Sequence, residues 1–208
     1  MPKVWLITGS ARGLGRALAE AVLAAGQNLV ATARNPAQLA DLAQRYGDRV
    51  RAVALDVTNE QAAADAVAVA RKAFGRLDVL ANNAGYGNVS PIEDTNLEEF
   101  RAQIETNLFG VINVTKAALP WMREQRSGHI LQFSSVGGRI GPVGRAPYAA
   151  AKWAPKVSPK CSQRKSVHSG HRIGWFSHRL RRLFNGAARR ASRVRGHRGK
   201  GSPLPARL

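Results

Sequence analysis

A chain of 208 residues, 44% of them hydrophobic, suits one domain with a sizeable core, and the lack of any apolar run of about 18 residues excludes a membrane-spanning helix. A single cysteine, Cys161, excludes an intramolecular disulfide and implies no metal cluster; the start, broken early by Gly9, excludes a signal peptide, so the expected location is cytoplasmic. The formal charge of +19 is uneven: residues 155–208 hold 15 of the 32 Lys and Arg and none of the 13 Asp and Glu, which leaves residues 1–154 with 17 basic against 13 acidic groups, a net of +4.

In chain order, residues 4–7 form a short β run that enters the turn Thr8-Gly9-Ser10-Ala11-Arg12-Gly13-Leu14-Gly15. Residues 14–25 have a helical apolar period, 28–33 read as a strand, 37–46 as a helix and 50–55 as a third strand. An alanine-rich helix over 59–74 follows, then a fourth strand over 77–81 and an Asn- and Gly-rich loop. Residues 97–122 read as two helices and 129–133 as a fifth strand. Alternating units of this length predict an α/β fold, a Rossmann-type doubly wound parallel sheet with helices on both faces. Its ligand crevice lies at the carboxyl ends of the strands.

The glycine turn sits between a strand and a helix, where a dinucleotide pyrophosphate meets free N–H groups and the positive end of the helix dipole. Gly9, Ser10, Arg12, Gly13, Leu14 and Gly15 are therefore cofactor-binding candidates. Arg34 follows the second strand, where many dinucleotide folds place an acid for the ribose 2′-hydroxyl, and no Asp or Glu occurs from 28 to 38. Arginines suit a 2′-phosphate through charge-assisted bonds, so NADP(H) is favoured over NAD(H). The competing reading makes Arg12 and Arg34 solvated surface charges.

Thr8-Gly9-x3-Gly13-x-Gly15, Asp56-Val57, Asn82-Asn83-Ala84-Gly85, Asn107, Ser135 and Tyr148-x3-Lys152 stand in an order and spacing that resembles the classical short-chain dehydrogenase/reductase (SDR) family, over residues 1–154. The resemblance implies hydride transfer between a nicotinamide dinucleotide and a secondary alcohol or ketone. It implies further that Asp56 contacts the adenine amine with the Val57 backbone nearby, and that Asn83 and Gly85 shape the strand end beside the cofactor ribose. Asn107 would carry a proton relay through water and the lysine, and dimers or tetramers would be usual. The residue types agree with this chemistry. A free tyrosine titrates near ~10, so proton exchange at neutral pH needs a cation beside it. Lys152, four residues after Tyr148 on one helix, shares its face and supplies one, and both would also meet the cofactor. Ser135, thirteen residues before Tyr148, is placed to hydrogen-bond the carbonyl oxygen, with Ser134 as its possible stand-in.

Beyond Ala154 the resemblance ends. Pro155 and Pro159 break the helix, no strand-like run follows, and the open edge of the fifth strand is expected to stay bare. Residues 155–208 read as a basic, disordered, non-homologous tail on an incomplete dinucleotide-binding domain. Three origins compete for it. A nucleic-acid arm would use its charge, and a native extension would stay disordered. A frameshift is favoured, because permissible codons for 155–161 read one frame over give Glu-Gly-Phe-Ser-Glu-Val, a helical continuation of the family type. Nucleic acid is the least favoured partner. The leading function is an oxidoreductase, against a non-catalytic truncated product and a basic-tail interaction protein, and the substrate-selecting lid is expected to be absent.

Overall fold

The computed structural model describes residues 1–154 and, for the backbone, 172–176. Six parallel strands form one sheet in the order β3-β2-β1-β4-β5-β6: β1 Val4–Ile7, β2 Asn28–Ala33, β3 Val50–Ala54, β4 Val79–Asn82, β5 His129–Phe133 and β6 Arg172–Phe176. The helices between them are α1 Gly13–Ala24, α2 Ala40–Tyr46, α3 Glu60–Phe74, α4 Leu97–Ile104, α5 Gly110–Glu124 and α6 Ala146–Trp153. The sheet order reverses between β1 and β4, and the crevice of a doubly wound sheet opens at that switch point.

The central strands β1, β2 and β4 are nearly continuous apolar runs because both faces of the sheet are covered there, whereas the edge strand β3 exposes Ala52 and Ala54. Leu6, Val30, Leu80 and Ile130 pack in one buried cluster with Ala63, Ala66 and Ala70 of α3 and with Val114, Ala118 and Met122 of α5. The alanines of α3 recur at helical spacing and let its axis lie close to the sheet. Leu29 and Ala31 alternate with Val30 and are buried outside that cluster, as are Leu18 and Val22 of α1. Two helix starts carry side-chain caps: Asn59 accepts from the Ala62 N–H and Asn96 from the Glu99 N–H.

The fourth predicted helical stretch, 97–122, is more continuous than its two-helix reading. Helices α4 and α5 are joined by one π-helical turn, Glu105–Phe109, and Pro120 is accommodated inside α5. The wide turn matters for the site because it carries Asn107.

The expectation of a bare β5 edge is corrected. Arg172–Phe176 pairs with β5 in parallel, from His129↔Arg172 to Phe133↔Phe176. Five residues are too short for a sequence period to register. They include one β-branched and two aromatic residues, which suit a strand, and an open edge of N–H and C=O groups is a ready template. The other readings of the tail concern 155–171 and 177–208, which lie outside the described residues. Among the described residues no helix is long and apolar enough to cross a membrane.

At the opposite end of the sheet from the crevice, Asp78 ties β1 to β4. Its buried carboxylate accepts from the Val4 N–H at 2.8 Å and takes both arms of Arg76, at 2.8 and 2.6 Å. Its backbone N–H bonds Val4 and its C=O accepts from His129. Asp78→Ala leaves the Val4 N–H unpaired, so urea unfolding should show a loss of about 2–3 kcal/mol. Arg76→Ala, at a partly exposed site, should cost about 1 kcal/mol. An Asp78→Ala loss below about 0.5 kcal/mol would refute the role assigned to this clamp.

Candidate active site

The turn after β1 is built by its backbone. Gly9 and Gly13 take φ of +68° and +59°, a region that glycine occupies freely. At Gly15 a Cβ would lie 2.2 Å from the Gly9 carbonyl oxygen and 2.3 Å from Asn83 Nδ2, so only glycine lets α1 settle onto the turn. The Asn83 amide donates to the carbonyls of Thr8 and Gly9 at 2.9 and 3.1 Å. The Thr8 hydroxyl oxygen accepts from the N–H groups of Asn83 and Ala84, each at 2.9 Å. Ser10 is fully buried, its hydroxyl donating to Ile7 C=O at 2.8 Å and accepting from Thr32 N–H at 3.3 Å. Ser10 and Gly15 thus build the turn from beneath, whereas Gly9, Arg12, Gly13 and Leu14 line the cavity above it. Arg12 occupies the N-cap position of α1 without a side-chain cap, so among the described residues no side chain caps the first N–H groups of the helix.

The cavity measures about 1150 Å³ and runs across the carboxyl ends of β1 to β5. That exceeds the roughly 300–1,000 Å³ of a drug-sized ligand cleft. At one end lie Arg34 after β2 and Asp56 and Val57 after β3. The Thr58 N–H and hydroxyl donate to Asp56 Oδ1 at 3.0 and 2.7 Å. These bonds, helped by the Arg34 charge, hold the Asp56 carboxyl below the usual carboxylate range. The loop after β3 is fastened from α5, where Asn113 Nδ2 donates to the carbonyls of Val57 and Thr58 at 3.1 and 3.3 Å. A Cβ on Gly110 would lie 2.5 Å from Val57 Cγ2. Nothing in the local sequence pattern singles out Asn113, because its partners lie more than fifty residues away.

At the other end α6 presents Tyr148 and Lys152. The Lys152 Nζ lies 5.7 Å from the Tyr148 ring centroid and donates to Phe133 C=O at 3.4 Å. The Tyr148 ring fits between two glycines: a Cβ on Gly87 would lie 2.6 Å from its Cδ2, and one on Gly137 3.3 Å from its Cδ1. Asn107 is fully buried, and its Nδ2 donates to Tyr86 C=O at 2.7 Å and Gln103 C=O at 2.9 Å. Its Oδ1 has no partner among the described residues. Gly85 separates it from the lysine, since a Cβ there would meet Asn107 Oδ1 at 2.4 Å and Lys152 Nζ at 3.2 Å. The two serines divide. Ser135 Oγ accepts from Gly137 N–H at 3.2 Å and adjoins Tyr148 through that glycine. Ser134 lines the cavity, and its buried hydroxyl has no partner among the described residues. No cluster of metal-ligating side chains occurs among the described residues.

Residues 3–165 match the sequence profile of the family described as short chain dehydrogenase. The oxidoreductase BOA17 of Botryotinia fuckeliana is 53% identical over 155 residues, covering 74% of this chain and 57% of that protein. A 3-ketodihydrosphingosine reductase of Bacteroides thetaiotaomicron is 39% identical over 153 residues, 74% of this chain and 54% of that protein. The crystal structure of a short-chain dehydrogenase from Streptomyces avermitilis superimposes with a TM-score of 0.80 at 38% identity, over 84% of this chain and 64% of that one. The chain therefore spans between half and two-thirds of the length of these relatives.

Burial strips water from the Lys152 ammonium and lowers its pKa from 10.5 to about 8. Below about pH 8 the lysine is charged in both folded and unfolded chains, and folding bears the full desolvation cost, on the order of 3 kcal/mol. Between about 8 and 10.5 the unfolded chain binds the extra proton, so stability from this group rises with pH. Lys152→Met should therefore be more stable than the parent at pH 7 in denaturant melts, with the gap closing by pH 10. A gap independent of pH would show that the lysine is not desolvated.

Proposed function

Because the chain belongs to the short-chain dehydrogenase family, we propose that it is an oxidoreductase preferring NADP(H) and acting on a secondary alcohol or ketone. The observation that carries this reading is the buried Lys152 beside the Tyr148 ring, in the same cavity as a glycine turn that opens a helix.

The cleft suits a dinucleotide on its own geometry. The N–H groups at the start of α1 would bind a phosphate, and Gly15 leaves no room for a side chain between the turn and the helix. Arg12 and Arg34 would grip a 2′-phosphate, and Asp56, fixed by Thr58, would accept from the adenine amine. When bound, the nicotinamide supplies or accepts the hydride. The chain's own residues handle the proton. Tyr148 donates it to the carbonyl oxygen, and the Lys152 ammonium stabilises the charge left on the phenol oxygen. Ser135 already accepts from Gly137, so its own O–H is free to donate to the same carbonyl oxygen. Ser134 is the second candidate for that donor, favoured by its place on the cavity wall and its unpartnered hydroxyl. Asn107 Oδ1, unpaired and across Gly85 from Lys152, would accept a hydrogen bond from a water and hold it where the water can pass a proton from solvent to the lysine. A lysine with a pKa of about 8 exchanges protons readily near neutral pH.

Dissociation constants of NADPH and NADH, measured by fluorescence, should favour NADPH, and Arg34→Ala should remove most of that preference, roughly 10-fold or more. Equal affinities in the parent would reject the 2′-phosphate assignment. Tyr148→Phe should cut ketone reduction by roughly 100- to 10,000-fold while NADPH still binds. Turnover within tenfold of the parent would assign the proton to another group.

A further inference from the structure

Arg145 takes the N-cap position of α6, three residues before Tyr148, a spacing that puts both on one face of the helix. It is half-buried and lines the same cavity as Tyr148 and Lys152. Its backbone is anchored. The preceding Gly144, at φ +70°, accepts from the Ser90 N–H at 2.9 Å, and the Arg145 carbonyl accepts from Ala149 N–H at 2.8 Å. The side chain, by contrast, makes no ion pair or hydrogen bond among the described residues. Arg16 and Arg76, elsewhere on the chain, both hold carboxylates.

A half-buried guanidinium without a partner has given up hydration for nothing, unless an anion completes it. Among the described residues, the cavity lining offers none that is free. Asp56 is the only acid among the cavity-lining residues, and it sits after β3 with its carboxylate already held by Thr58. Glu99 receives the side-chain amide of Asn88. The proposed phosphate sites are poorly placed to serve, because Arg34 follows β2 and the glycine turn follows β1, three and two strands from β5, after which Arg145 comes. At about 4.8 Å per strand these are roughly 14 and 10 Å. Asn88, Ala102 and Thr106, which line the cavity from the β4–α4 loop, α4 and the π turn, carry no charge.

We propose that Arg145 is a specificity-determining residue that binds a carboxylate on the substrate, so that the preferred substrates are oxo acids or their hydroxy acids. The fork of the guanidinium matches a carboxylate in two parallel bonds, which also orients the carbonyl toward Tyr148 one helical turn on. This inference rests on the reading of Tyr148 and Lys152 as the reacting end of the cavity.

The test uses the 208-residue chain and a series of probes: pyruvate, 3-oxobutanoate, 4-oxopentanoate and 5-oxohexanoate, each beside its methyl ester. Binding to the NADP+-loaded chain is measured by calorimetry, and reduction is measured separately with NADPH. At least one acid should bind more tightly than its ester. Arg145→Met should weaken that acid roughly 10- to 100-fold and leave the ester and NADP+ within about twofold, with Arg145→Lys intermediate. Unchanged NADP+ binding also shows that the variant is folded. Acids that bind no better than their esters overturn the proposal. So does an equal loss of acid and ester, or a loss of NADP+ affinity, which would give Arg145 to the cofactor phosphates. Arg145-dependent binding of an acid without any reduction would uphold the proposal and reject the catalytic reading of Tyr148.

Discussion

The Asn83 side chain joins two strand ends that are far apart in the chain. Its amide spans the carbonyls of Thr8 and Gly9, while its own N–H and that of Ala84 converge on the Thr8 hydroxyl. These four bonds close the sheet at the point where its strand order reverses. They also satisfy the carbonyls of a turn that glycine conformations would otherwise leave exposed. Gly15 then has one permitted position, against Gly9 and the Asn83 amide, and α1 is aimed by that contact. The direction of the first helix, the opening of the cleft and the line toward Tyr148 all inherit this arrangement.

The reacting end of the cleft obeys a different constraint, the price of burying charge. Lys152 is almost wholly enclosed, and one long bond to the Phe133 carbonyl stands in for the water it has lost. Gly85, Gly87 and Gly137 clear the space in which the lysine, Asn107 and the tyrosine ring approach one another. A side chain at any of the three would push these groups apart. The site is therefore made as much by absent Cβ atoms as by the polar groups they expose.

The sheet and the glycine turn were legible because their signals are local. Strand runs bounded by glycine, and a Tyr and Lys four apart, need only a few residues to register. Long-range tethers left no such trace. Asp78 lies next to an arginine in sequence, yet its role depends on Val4, and Asn113 acts on Val57 and Thr58. The thirteen-residue spacing to Tyr148 points to Ser135, whereas of the two adjacent serines Ser134 is the one on the cavity wall, so spacing alone does not choose between them. Ser10 was named with the turn that contains it, although its hydroxyl points into the sheet. Strand β6 leaves no sequence signal because basicity dominates the composition around five strand-compatible residues.

The bonds between Thr8 and Asn83 cross 75 residues of chain. During synthesis at roughly 5–20 residues per second, the threonine waits on the order of 4–15 s for its partner. Over that interval β1 has β2 and then β3 to build on, but the carbonyls of the glycine turn have no donor and Gly15 has nothing to seat against. Closing so long a loop costs entropy before any contact rewards it, which makes the β1–β4 junction a late event. A nascent chain of this protein thus carries a half-sheet with one unpaired inner edge, and the ligand cleft comes into being only when β4 docks there.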